Sequence, residues 1–100
     1  MYILRIEHPV PDYASWKKAF DADPVGREAS GVRRHSILRS ADDTNRLMID
    51  LEFETKMAAD AMLAKLKGLW ERVQGTVMTG PQARIAEVLE TREYAGKAGG

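Results

Sequence analysis

One hundred residues, 44% hydrophobic and 30% charged, fit a single ordinary globular domain and leave no length for a second core. Fifteen basic side chains balance fifteen acidic ones, so no excess charge recruits nucleic acid or an anionic membrane. The absence of cysteine excludes disulfides and thiolate metal sites, which agrees with a reducing cytoplasm as the expected location.

The N-terminal segment MYILRIEHPVPDY carries a charge by Arg5 and lacks the long apolar run of a signal peptide. Residues 2 to 8 alternate, Tyr2, Leu4 and Ile6 on one side and Ile3, Arg5 and Glu7 on the other, which is the period of a strand. Pro9 and Pro11 end it, and His8 is read as a loop residue beside the first proline. Asp12 is a natural N-cap for a helix over about 12–21, whose stripe of Tyr13, Trp16 and Phe20 is expected to be its core face. Asp23-Pro24 stops that helix, and PVGREASG is expected to form one further short turn.

A second strand is expected over 32–40, followed by the turn-forming SADDTN, which lacks the spacing and distal glutamate of a calcium loop. Residues 46–54 form the clearest strand, with Leu47, Ile49, Leu51 and Phe53 facing one way and Met48, Asp50 and Glu52 the other. Thr55 caps a second helix with Met62, Leu66, Leu69 and Val73 along its core stripe, widened by Ala58, Leu63 and Trp70; Gly68 is a point where it could kink or end. Val77 and Met78, in the loop over 75–81, are expected to cover something. The last strand is expected over 82–90, and the domain over 1–91, followed by a flexible tail over 92–100.

Strand, helix, strand, strand, helix, strand with right-handed crossovers gives an α+β ferredoxin-like domain: a four-stranded antiparallel sheet, order 4-1-3-2, with both helices on one face. Pairing Arg39 with Arg46 across the turn sets His35 opposite Asp50 and Arg33 opposite Glu52 on the uncovered face, beside Arg5 and Glu7. A face mixing these charges with Ile3, Ile37 and Met48 suits closure against a second copy around a partly polar cavity. A homodimer with that cavity on the non-helical side is therefore expected. His35 is the candidate general base or acid and Asp50 its orienting partner; Arg5, Arg33 and Glu52 are candidates for binding a small-molecule substrate.

The segment P-x-Y-x-x-W-K-x-x-F, here Pro11, Tyr13, Trp16, Lys17 and Phe20, and the strand-turn-strand leading into an Ala/Met-rich helix from Thr55 resemble the dimeric α+β barrel superfamily, in particular small proteins of the antibiotic-biosynthesis-monooxygenase type. The resemblance covers residues 1 to about 90. It implies pairing as a dimeric α+β barrel and leaves several activities open, among them cofactor-independent monooxygenation, haem degradation, dehydration and isomerisation. Haem-degrading members use a helical histidine with an asparagine and a tryptophan; here His8 and His35 fall on or beside strands and Asn45 in a turn, so no haem, and no other cofactor, is expected. The leading expectation is a monooxygenase-like enzyme acting on a small organic molecule in the barrel cavity, and the alternative is a non-catalytic binding or assembly module. Nucleic acid is not expected as a partner, because Asp50 and Glu52 sit where an RNA-binding sheet needs basic and aromatic side chains.

Overall fold

In a computed structural model of the protein, the described residues are 1–73 and 80–96. The expected covering role of Val77 and Met78, the side chain of Val73 and the last four residues of the expected tail lie outside them. The elements follow in the order β1 (Tyr2–Pro9), α1 (Tyr13–Asp21), β2 (Arg34–Arg39), β3 (Arg46–Phe53), α2 (Lys56–Val73) and β4 (Gln82–Glu87). The sheet runs β2-β3-β1-β4 with every neighbouring pair antiparallel, which is the expected order read from the other edge.

Alternation decides which face is buried. Leu4, Ile6 and His8 of β1 and Leu47, Ile49, Leu51 and Phe53 of β3 point under the helices, and all are buried. Trp16 of α1 and Ala59, Met62 and Leu66 of α2 close the core from above. β1 outruns β4, whose pairing stops at Glu7↔Gln82, so Pro9 sits where β1 has an open edge and its missing N–H costs no ladder bond on that side. β4 turns Ala83 and Ile85 toward the core and is shorter than expected, as is β2.

Both helices start on the expected caps. The Asp12 carboxylate accepts from the Ser15 backbone N–H at 3.0 Å and the Ser15 hydroxyl at 2.6 Å, and these bonds hold its pKa below the usual carboxylate value. Thr55 Oγ1 accepts from the Ala58 N–H at 3.1 Å. α2 runs unbroken through Gly68, because Leu66, Leu69 and Trp70 keep its apolar stripe against the core on either side. A Cβ at Gly68 would meet nothing within 4 Å. Gly68→Ala is therefore expected to raise stability by about 1 kcal/mol, read as a higher urea midpoint at unchanged slope.

After α1 the chain makes one tight turn, with the Ser30 N–H bonded to Gly26 O at 2.9 Å, and leaves it through Gly31. Gly31 has φ +99°, a conformation that selects glycine, although a Cβ there would make only an ordinary 3.5 Å contact with the Ala58 Cβ.

Candidate functional site

The hairpin register differs from the expected one by a single residue. Arg39 pairs with Leu47, Ser36 with Asp50 and His35 with Leu51, and the Ser40 N–H bonds to Arg46 O at 3.0 Å. A one-residue slip exchanges every side chain between faces. His35 and Ile37 therefore leave the uncovered face, and Arg34, Ser36 and Leu38 take their places. The observed register frees Arg34 from the helix side to reach Glu52 at 2.6 Å and sets Ile37 beside Ile49. Its cost is that His35 and Arg39 point to the helix side, and both find aromatic rings of α1 there. His35 meets the Phe20 ring edge-on with centroids 5.2 Å apart, and the Arg39 guanidinium lies 5.1 Å from the Tyr13 centroid.

His35 and Asp50 are thus on opposite faces of the sheet, and the expected cross-strand pair is not formed within the chain. Asp50 receives two parallel bonds from Arg5, both 2.8 Å, which raise the Arg5 pKa through the hydrogen bond and the charge. Glu52 holds Arg34, whose pKa is raised for the same reasons, and Glu7 holds Arg46 at 2.5 Å. Arg33, just before β2, approaches Glu54 at 3.6 Å and not Glu52. Among the described residues the uncovered face therefore carries three internal ion pairs, set between Ile3, Met48 and the exposed Leu38, with Arg84 opposite Arg5.

A cavity of about 100 Å³ lies on the other side of the sheet, between it and the helices. Its wall is formed by Ile6, Ile49 and Leu51 of the sheet, Trp16, Ala19 and Phe20 of α1, Pro24 and Val25 of the following turn, and Leu66, Leu69 and Trp70 of α2. His8 and Arg27 are its only polar lining residues among the described residues. An engineered apolar cavity of about 150 Å³ accepts benzene; at about 100 Å³ this one is smaller, and a single small ring is the nearest match to it in scale.

His8 is 1% exposed, with its ring 5.9 Å from that of Trp16, which in turn stacks on Phe20 at 5.0 Å. Nδ1 lies 3.2 Å from the Pro9 carbonyl oxygen. A carbonyl only accepts, so Nδ1 carries the hydrogen and Nε2 the lone pair. Burial, chiefly, pushes the His8 pKa below the ordinary 6.5; the bond to Pro9 opposes this and the charge of Arg46 adds to it. The neutral, basic form of His8 is therefore the one present at neutral pH.

The sequence places His8 as a loop residue and does not single out Arg27. His8 was legible: the stripe Tyr2, Leu4, Ile6 continues by two to reach it. Among the described residues no group of three or more His, Cys, Asp or Glu side chains could hold a metal ion, and no helix is long and apolar enough to cross a membrane.

No protein-family model matches the sequence, and no curated protein does. Solved structures match its shape. SnoaB from Streptomyces nogalater, a cofactor-independent oxygenase solved as a variant, superimposes with a TM-score of 0.71 at 17% identity over 90% of this chain and 94% of its own. A candidate antibiotic biosynthesis monooxygenase from Nitrosomonas europaea gives 0.59 at 24% identity over 90% and 100%. A dimeric ferredoxin-like protein from an uncultured marine organism gives 0.64 at 14% identity over 91% and 97%. The fold is the α+β ferredoxin-like one that these structures share. At these identities the likeness shows the fold alone; the chemistry has to be argued from the cavity and its two polar residues.

Proposed function

We propose that this protein is a cofactor-independent monooxygenase-like enzyme whose substrate, a small phenol-type aromatic, lies in the cavity between sheet and helices. The observation that carries this reading is a neutral histidine, His8, buried beside Trp16 on the wall of an otherwise apolar, ring-sized cavity. Flat indole and phenyl faces bind an aromatic ring, and a base with a free Nε2 lone pair takes the proton of its hydroxyl in the transition state. Losing that proton makes the ring electron-rich enough to reduce dioxygen directly. The overall step balances without another reductant: a phenol with a free para position plus O₂ gives the para-quinone plus H₂O, one oxygen atom entering the ring and the other leaving as water. SnoaB, which shares the fold, is itself a cofactor-independent oxygenase.

The test is oxygen consumption with 2,6-dimethylphenol, followed alongside the absorbance of the quinone. Turnover lost in His8→Asn is the expected result. Binding of the phenol without oxygen uptake would make the protein a binding module instead, and no binding at all would remove the cavity from consideration.

The uncovered face belongs to the same reading as the surface through which two copies associate. Its ion pairs are already closed within the chain, and Ile3, Met48 and Leu38 supply apolar contact between them. Leu38→Asp places an unpaired charge in that contact and is expected to raise the dimer dissociation constant by about tenfold or more. Sedimentation equilibrium reads the shift. A chain that is monomeric before substitution, or a variant that dimerises unchanged, would contradict the assignment.

A further inference from the structure

Resting on the cavity reading above, we infer that Arg27 selects the ligand class: an aromatic ring that carries a carboxylate, with the ring in the cavity and the carboxylate on the Arg27 guanidinium. Among the described residues Arg27 is the one that lines both the apolar cavity and a wider polar depression of about 610 Å³ beside it, which includes Asp23, Glu28, Arg33, Arg34 and His35. A ligand spanning the two must pass this side chain.

The guanidinium is held in place. Its Cζ sits 3.7 Å above the centroid of the Phe20 ring, and Nη1 donates to Phe20 O at 2.9 Å. Asp23 fixes the backbone beneath it: its carboxylate accepts from the Arg27 N–H at 2.9 and 3.2 Å, and its own φ of 51° is the left-handed conformation that aspartate tolerates better than most residues. The same carboxylate lies 3.5 Å from Nη1, so both anchors act on one nitrogen. Nε and Nη2 have no partner among the described residues. The Arg27 side chain is 16% exposed, so part of it reaches solvent. Nε with Nη2 forms one of the two forks by which arginine takes a carboxylate through parallel bonds. A rigid cation with one fork unused among the described residues, at the edge of a ring-sized apolar space, fits an aromatic acid better than a neutral ring.

The test compares benzoate with benzamide, which has the same shape and no charge, by two-dimensional NMR titration of the whole protein. Benzoate is expected to bind about tenfold more tightly than benzamide, the scale of hydrogen bonds to a charged group. In Arg27→Gln the two should bind within about twofold of each other, with benzamide affinity little changed. Arg27→Lys, which keeps the charge and loses the fork, should retain only part of the preference; it decides the matter if Arg27→Gln is unfolded by circular dichroism. Equal binding of the two probes by the unsubstituted protein, or a preference that survives both substitutions, overturns the role of Arg27 and leaves the cavity reading intact. If neither probe shifts resonances of cavity residues, the cavity reading fails and this inference with it.

Discussion

His8→Asn is expected to lower turnover of a phenolic substrate by about 10² to 10⁴-fold, the range that a positioned general base contributes. Asparagine is the informative replacement because its amide N–H stands where Nδ1 stands and can still donate to the Pro9 carbonyl, while nothing replaces Nε2. On the proposed mechanism the unsubstituted protein should lose activity as pH falls through the His8 pKa, which burial sets below 6.5. Turnover that survives the substitution, or a profile flat through that region, would remove His8 from the chemistry.

The same shift has a sign for stability. The unfolded chain takes up a proton near 6.5, whereas the folded chain resists it until lower pH. Stability is therefore full above 6.5 and falls as pH drops from there through the folded value, by about 1.4 kcal/mol for each unit of depression. Urea midpoints measured between pH 7.5 and 5 should show this fall in the unsubstituted protein and a smaller one in His8→Asn.

Trp16→Ala is expected to cost about 3 to 5 kcal/mol, a large part of the roughly 5 to 15 kcal/mol available to a domain of this kind. Trp16 is 5% exposed and touches Tyr13, His8 and Phe20, so its removal opens the cavity into a larger void and frees α1 from the sheet at once. Trp16→Phe leaves a smaller void and should cost markedly less. Thermal or urea unfolding compares the two. A loss below about 1 kcal/mol for the alanine variant would mean that α1 is held by other contacts.

The alternation in Tyr2 to Ile6 and Leu47 to Phe53, and the caps Asp12 and Thr55, were enough to order the sheet and put both helices on one face. Register was not legible, because the SADDTN segment can close as a loop of either parity. Both parities place an arginine beside Glu52, so charge complementarity did not choose between them. What chose was tertiary: Ile37 gains core contact, and the edge residues His35 and Arg39 gain the rings of Phe20 and Tyr13. Those contacts involve residues some fifteen to twenty-six positions apart, beyond the reach of local periodicity. His8 was missed for the opposite reason. A proline next to it was taken as the end of the strand, although β1 continues through Pro9 at a position where no fourth strand needs its N–H.

In the proposed pairing of two copies, the closed ion pairs of the uncovered face also bear on how fast those copies meet. With Glu7, Asp50 and Glu52 each answered by an arginine of the same chain, little field extends outward to orient an approaching twin, and the whole molecule carries no net charge. For such a dimer, encounter is expected at the unsteered rate, about 10⁵ to 10⁶ M⁻¹s⁻¹, and added electrolyte should hardly change it.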